Sequence, residues 1–453
     1  MMPTTTLPNH PQVAVLGGGI SGLVSAYRLL QQGVGVTLFE ASDALGGLGG
    51  TFEYKGAVLE QFYHVMLNSD APLLSLLEEL DLAGTIRWQE TGMGFQYEEA
   101  FYPFNTPLDL LRFGALTIPE RLRTAVGAAY ITKFVKDGAA LDGITAAAWL
   151  TSIFGASVFQ KLWRPLLTAK FGDLYDTVPA YWFWSRLTRE KGGAKEVKGY
   201  VEGGYRAIAD ALAGEIVRMG GKVRLKTPVQ GLHETASGVQ VNTKDQWEPF
   251  SAVISTLPMP LLQKIAGGRI HGEVPQSNLV YQGVVNVVLI LKQRLQPYYW
   301  NAIVKQGFAF QGLVETTHVV PLEQTNGRHL VYLMNYCHKD SETYSRSDYD
   351  WEFQAQKALT SLYPDFDQSM VEKVKVFRAP FVEPVWPVNY LADRPEAQIS
   401  GSKVFLATTA QAYPRVNAWN TMVEIASETV GKVCAELVGQ PASALTIDEL
   451  TLA

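Results

Sequence analysis

Cysteine is scarce in this 453-residue chain: Cys337 and Cys434 are the only two. They fit no ligand or redox spacing, so neither a disulfide framework nor a Cys-based zinc site is expected, and a reducing cytoplasm is the default location. Charge is also sparse. Charged residues make up 18%, against about 25% in an average soluble protein, and with 47% hydrophobic residues the composition excludes a disordered chain. Lys plus Arg number 38 against 44 Asp plus Glu, a net charge of -6. No basic block stands out that would neutralise a row of phosphates, so nucleic acid is not an expected partner. None of the seven histidines falls in an HExxH or similar pattern, and no metal site is expected. No run reaches about 18 uninterrupted apolar residues, the length a membrane span needs. Met1 to Gln12 lacks the basic start and apolar centre of a signal peptide. Peripheral membrane contact stays open, because the stretch from Leu108 to Phe183 is rich in apolar and aromatic residues. Oligomeric state is not legible.

What is present begins at Val13-Ala14-Val15-Leu16, an apolar run suited to a strand buried on both faces. Glycines follow at once, then Ile20, Leu23, Tyr27 and Leu30 at helical spacing, and then Val36-Thr37-Leu38-Phe39. This is a complete βαβ unit. Helical patterns dominate residues 70–200, with helices expected over Pro72 to Leu82, Pro107 to Phe113 and Pro119 to Val135, each opening at proline. Short β-like runs return at Lys222 to Leu225, Gly238 to Thr243 and Ala252 to Thr256. Longer ones follow at Val284 to Leu291 and Leu330 to Tyr336, with a helical stretch near Tyr349 to Leu362. Lys403 to Ala407 reads as one more buried strand, and Thr421 to Leu437 as the last helix. The fold class expected is α/β: a discontinuous Rossmann-like nucleotide-binding domain over 12–69, 200–260 and 400–440, with an inserted α+β substrate domain over 70–199 and 261–399.

Gly17-Gly18-Gly19-Ile20-Ser21-Gly22 matches G-x-G-x-x-G between strand and helix. Gly17 serves the tight turn, Gly19 lets backbone approach a pyrophosphate, and Gly22 lets helix and strand pack closely. The helix start at Ile20 and Ser21 offers unpaired N–H groups to phosphate oxygens. Glu40 ends the second strand about 20 residues on, where a carboxylate accepts ribose hydroxyls and repels a 2′-phosphate, which disfavours NADP. A second glycine-dense loop follows Ala41, with Gly46, Gly47, Leu48, Gly49 and Gly50; it brings backbone to the same dinucleotide again, which simple nicotinamide enzymes do not need.

These motifs together resemble the N-terminal signature of the FAD-dependent superfamily that holds monoamine oxidases, protoporphyrinogen oxidase and phytoene desaturases, and more distantly UDP-galactopyranose mutase. The resemblance implies FAD as cofactor. It nominates Val229, in Thr227-Pro228-Val229, for the adenine, and Thr256 for the strand end bordering the same site. It also implies that Ala407 to Met422 closes over the ribityl chain and flavin, nominating Tyr413, Asn420, Thr421 and Met422, with Arg415 and Asn417 nearby. Leu48 stands where the amine oxidases commonly have arginine, and Thr408-Thr409-Ala410-Gln411 replaces a Gly-Asp pair. Thr421 and Glu424 form an S/T-x-x-E pattern, so a helix is expected to begin at Thr421.

Flavin carries the hard chemistry, so few catalytic side chains are expected. Lys170, in a segment similar to one in the mutases, and His64, in Glu60-Gln61-Phe62-Tyr63-His64, are the catalytic candidates; Lys170 alternatively pairs with Asp173 or Asp176. Trp163, Trp182, Trp184, Arg164 and Arg186 are weighed as pocket residues, and Glu315 as a substrate-domain candidate. The function expected is an oxidoreductase taking a hydride from a small organic substrate, at a C–N or C–C bond, with oxygen or another acceptor reoxidising the flavin. The alternatives are a flavin-dependent nucleotide-sugar isomerase resembling the mutase and a flavoprotein holding FAD structurally.

Overall fold

A computed structural model describes residues 10–98, 100–189, 196–244, 246–275, 279–304 and 307–438. Most of Met1 to Gln12, and residues 439–440 of the last expected segment, lie outside them. The centre is a five-stranded parallel sheet in the order Lys222–Arg224, Gly35–Phe39, Gln12–Leu16, Ala252–Ser255, Val404–Leu406. Val13, Ala14 and Val15 are fully buried in the middle strand, because a parallel sheet needs cover on both faces. The helices Ile20–Gln31 and Trp419–Val438 lie against each other beside this sheet. This is the doubly wound arrangement that the βαβ unit foretold, and its loops project at the carboxyl ends of the strands. A three-stranded antiparallel sheet, Gly231–Thr235, Gly238–Thr243 and Gln246–Phe250, is inserted before the fourth parallel strand.

The second layer is a seven-stranded sheet, in the order Val371–Val385, Val280–Leu291, His329–Cys337, Gly312–Glu315, Trp300–Ala302, Met93–Tyr97, Ala100–Pro103. Its long strand Val280–Leu291 is apolar on both faces. Val285, Val287 and Leu289 join a core with Trp351 and Leu359 of the helix Asp348–Leu362, whereas Val284, Val288 and Ile290 join the main core. The region 70–200 is less purely helical than its pattern predicts. Ala71–Glu79, Ile118–Phe134, Ala146–Phe154, Arg164–Phe171 and Ala180–Arg189 are helices, but Ile86–Thr91, Met93–Tyr97, Ala100–Pro103 and Glu196–Val201 are strands. Arg87, Trp88, Gln89 and Glu90 are exposed, so that strand carries little of the apolar alternation that marks a half-buried one.

Candidate functional site

The glycine loop is built as a cradle. Gly17 takes φ +106°, open only to glycine at low cost, and donates to Phe39 O at 2.8 Å. A Cβ on Gly22 would stand 1.8 Å from Gly17 O, so the helix touches the loop through that glycine. Gly19 is the N-cap of the helix Ile20–Gln31; no side chain caps this helix and its first turn has no acidic residue, although Ile20 and Ser21 are buried. A bare helix start of this kind is a donor set for an anion. Glu40 binds the loop with one oxygen, accepting from Gly18 N at 2.6 Å, and its own turn with the other, accepting from Ser42 N at 2.7 Å.

The second glycine loop returns to the first. Gly46 N donates to Gly18 O at 2.8 Å, and Gly46 and Gly47 have φ of +106° and +58°. Ala41 is exposed and Leu48 half-buried along this turn. The segment leading to Val229 is tied alongside, with Lys226 N donating to Ser42 O and Thr227 N to Glu40 O, both at 2.8 Å. Thr256 N and Oγ1 both donate to Leu16 O, at 3.0 and 2.8 Å. The strands therefore gather Gly17, Gly19, Ile20, Ser21, Gly22, Glu40, Ala41, Gly46, Gly47, Leu48, Val229 and Thr256 around one strand end. The set fits an adenine dinucleotide: two glycine loops presenting backbone, a bare helix start for the pyrophosphate, and a carboxylate beside them.

The C-terminal segment is arranged otherwise. The last helix starts at Trp419, not Thr421; Thr421 Oγ1 donates to Val416 O at 2.8 Å, and Glu424 pairs with Arg415. The capping pattern is therefore not used. Asn420 Oδ1 accepts from Leu73 N at 3.0 Å, Met422 N donates to Ala418 O at 3.1 Å, and Asn417 Nδ2 donates to Val382 O at 2.8 Å. Tyr413 is buried, its hydroxyl on Asp142 and its ring among Tyr181, Trp386 and Tyr390. Trp419 is the residue of this segment that reaches the glycine loops. It lies where a Cβ on Gly49 would meet its ring at 2.6 Å, and it packs edge-on against Tyr205 at 4.6 Å.

From the second glycine loop the chain runs into Gln61–His64. Gln61 N donates to Gly50 O at 2.9 Å, and Asn286 Nδ2 on the long sheet strand donates to Gln61 O at 2.6 Å. This loop joins the dinucleotide cradle to the large sheet. His64 Nδ1 bonds Phe62 O at 2.9 Å, and its ring lies 4.8 Å from Tyr205 and 6.1 Å from Trp419, with Glu60 Oε2 3.8 Å away. Its neighbour Tyr63 faces the other side. Burial raises the Tyr63 phenol well above its ordinary pKa, with Tyr336 a second contributor, while Lys170 and Arg186 pull the other way. Tyr336 is pushed up to about 12, again by burial first and by Glu383 second.

Lys170 lies 4.5 Å from the Tyr336 ring centre and is ion-paired with Glu383. Neither Asp173 nor Asp176 is its partner. The Lys170 side chain is 31% exposed and that of Glu383 6%, so the pair joins a solvent-facing cation to a buried carboxylate. Glu383 Oε1 has no hydrogen-bond partner among the described residues. Tyr63, Lys170, Tyr336 and Glu383 thus come from a loop, a helix and two strands of the large sheet. Sequence reasoning missed Tyr63, Tyr336 and Glu383. The available signal was Glu383 itself, a lone acid in the apolar run Phe381-Val382-Glu383-Pro384-Val385-Trp386. Trp163 and Trp182 are core residues packed on Phe154, Phe183 and Phe171. Trp184 Nε1 donates to Val135 O at 3.2 Å, and Arg164 to Gln160 at 2.7 Å.

Glu315 belongs elsewhere. It pairs in register with Val331, whereas Lys170 covers Tyr336 further along the same strand. Fully buried, it accepts from Leu295 N and Gln296 N at 3.3 and 3.2 Å, with Arg294, His318 and His329 at 3.8, 3.9 and 3.4 Å. Burial raises it to about 7 and lowers His318 to about 4.

Fold and cradle together define a doubly wound dinucleotide-binding protein with a large mixed sheet joined to the cradle through Gln61. The chain belongs to the flavin-containing amine oxidoreductases, a family of FAD-dependent oxidoreductases whose model matches residues 20–416, and its cofactor is FAD. Over 71 residues it is 37% identical to protoporphyrinogen oxidase 2 of Arabidopsis thaliana, covering 16% of this chain and 14% of that one. Among solved structures it resembles cyclohexylamine oxidase from Brevibacterium oxydans, with TM-score 0.74 and 16% identity over 95% of this chain and all of that one. It also resembles a reduced UDP-galactopyranose mutase, with TM-score 0.74 and 15% identity over 94% and 96%. At these identities the structural likeness concerns the fold. The chain spans 12% to 59% of the length of the curated relatives it matches.

Proposed function

We propose that the chain is an FAD-dependent oxidase of small organic amines, acting at a C–N bond. The observation that carries this reading is the buried Glu383, with one oxygen on Lys170 and the other without a partner among the described residues, where Lys170 also lies over the ring of Tyr336 and the Tyr63 phenol is close by. A carboxylate and an aromatic face are the groups that hold an ammonium ion; Lys170 does this on Glu383 Oε2 and the Tyr336 ring and leaves Oε1 for a second cation. A substrate ammonium would bond Glu383 Oε1 beside the Tyr336 ring, and the carboxylate would accept its proton. FAD, when bound, supplies the acceptor for the substrate's hydride. Tyr63 lies two residues beyond Gln61, whose N–H donates to Gly50 O, so it would stand between a bound amine and the cofactor cradle. His64, packed against Tyr205 and edge-on to Trp419, would orient the other end of that loop. Gly17 through Gly22, Glu40, Gly46, Gly47, Val229 and Thr256 would hold the dinucleotide. Asn420, Thr421 and Met422 sit at the start of the last helix and act through its backbone, and Tyr413 anchors the segment to Asp142.

C–C oxidation has less support, because a substrate without a cation would give Glu383 only a neutral hydrogen bond in place of an ion pair. The isomerase reading rests on fold likeness alone, and fold does not fix the reaction. The purified yellow protein is mixed with a panel of primary amines, and separately with a UDP-hexose after dithionite reduction. Bleaching by an amine, with peroxide formed when air is admitted, is the expected result. Sugar conversion without bleaching by any amine would replace this reading with the isomerase.

A further inference from the structure

We propose that the helix Ile118–Phe134 docks the protein onto an anionic lipid bilayer. The helix faces the core with Thr124, Gly127 and Ile131 and shows its larger apolar side chains to solvent. Ile118, Leu122, Val126, Tyr130 and Phe134 recur every fourth residue and are 71%, 57%, 70%, 50% and 72% exposed. This repeats over a helix about 25 Å long, at 1.5 Å per residue. The orientation is fixed, because a Cβ on Gly127 would meet the Phe154 ring at 2.6 Å and Ile153 at 2.8 Å. The helix therefore sits too close to its neighbour to turn its apolar face inward. The preceding helix adds exposed Leu108 and Leu111, and Arg121 ties the two by donating to Leu111 O and Leu116 O at 2.9 and 2.7 Å.

Charge decides the occupant. Residues 107–137 carry five cations, Arg112, Arg121, Arg123, Lys133 and Lys136, against three anions, Asp109, Glu120 and Asp137, in a chain of net charge -6. Each anion is engaged locally: Asp109 at Thr106 N, Glu120 at Lys161, Asp137 at Ala139 N. Lys133 and Lys136 are exposed and pair with no carboxylate among the described residues. Lys133 lies on the apolar side of the helix, near its end, with Tyr130 and Phe134 stacked at 6.0 Å. Apolar side chains flanked by aromatics and by lysines whose stems reach along the surface are the pattern of an interfacial helix, and the lysines favour acidic headgroups. A second copy laid on this face would bring cations against cations. No described helix is long and apolar enough to cross a membrane, so the contact is peripheral.

The FAD-loaded full chain is sedimented with vesicles of phosphatidylcholine alone and of phosphatidylcholine mixed with phosphatidylglycerol. The protein is expected to pellet with the mixed vesicles, less with the neutral ones, and less as salt rises. Leu122→Asp with Val126→Asp should lower partitioning by about tenfold or more. Lys133→Glu with Lys136→Glu should remove the preference for the acidic vesicles. Val217→Asp, at an exposed position on another helix, should pellet like the wild type. Flavin content and thermal midpoint should be the same throughout. Wild-type protein staying in the supernatant with both vesicles would overturn the proposal, as would patch variants that pellet normally. A concentration-dependent dimer lost in Leu122→Asp/Val126→Asp, without vesicle binding by the wild type, would assign the face to a second copy instead.

Discussion

Alanine at Gly19 and at Gly22 should fail for different reasons, and the contrast isolates the cradle. At Gly22 the new methyl would stand 1.8 Å from Gly17 O and 3.0 Å from Gly17 C. Both atoms are backbone, so the helix must leave the loop; overpacking of this kind costs about 1–3 kcal/mol, and an unyielding neighbour puts it at the upper end. At Gly19 the nearest atom to a Cβ is Gly47 Cα at 4.0 Å, and φ is -74°, so alanine fits the protein itself. The methyl would instead stand in the cradle's open face, where pyrophosphate meets backbone. Losing one hydrogen bond to a charged group costs about 1.5–3 kcal/mol, or roughly 10- to 150-fold in Kd. Each variant is stripped of flavin, melted, and titrated calorimetrically with FAD. Gly22→Ala should melt lower without flavin; Gly19→Ala should melt like the wild type and bind FAD weakly. A Gly19→Ala protein that binds FAD normally, or that loses as much flavin-free stability as Gly22→Ala, would refute the reasoning.

Three further outcomes concern Glu40, Lys170 and Glu315. Glu40→Lys should weaken FAD by one to two orders of magnitude, about 1.5–3 kcal/mol, since it replaces an acceptor of Gly18 and Ser42 N–H groups with a donor; unchanged retention through dialysis would contradict this. Lys170→Met should keep its flavin and lose turnover, because Glu383 is left buried without its cation; equal turnover would reduce Lys170 to a surface ion pair. Glu315→Gln should change how stability depends on pH. The folded wild type holds on Glu315 a proton that an unfolded glutamate, at 4.5, would release, with a folded value of about 7. That contribution is full below 4.5 and lost as pH rises through 7, a span of about 3 kcal/mol. His318, lowered to about 4 from 6.5, does the opposite: its contribution is present above 6.5 and lost as pH falls through 4. The two slopes cancel between 4.5 and 6.5 in the wild type, so the variant alone should gain stability with pH over that interval in denaturant titrations. Parallel curves for the two proteins would count against a protonated Glu315.

The cradle was legible because backbone geometry restricts residue type: Gly17, Gly22 and Gly46 are demanded by positive φ or near-contact, and local sequence carries that demand. The parallel strands Gln12–Leu16, Ala252–Ser255 and Val404–Leu406 were legible as apolar runs. The substrate side was not. Lys170 has Asp173 and Asp176 close by in sequence but finds Glu383 on a distant strand, and nothing local specifies that sheet register. Tyr63 stands beside the nominated His64, yet opposite faces of one extended loop separate them. The expected cap at Thr421 failed for a related reason: Arg415 competes for Glu424, and the chain had already turned helical at Trp419. Strand Ile86–Thr91 escaped notice because its exposed face hides the alternation.

The most direct measurement of the account is anaerobic reduction of the bound flavin by a primary amine, followed in a stopped-flow instrument for wild type and Glu383→Gln. Rapid bleaching of the wild type is expected and, with flavin content unchanged in the variant, an apparent amine affinity weaker by about 10- to 100-fold. A wild-type flavin that stays oxidised with every amine, or a variant that bleaches at the same amine concentrations, would contradict it.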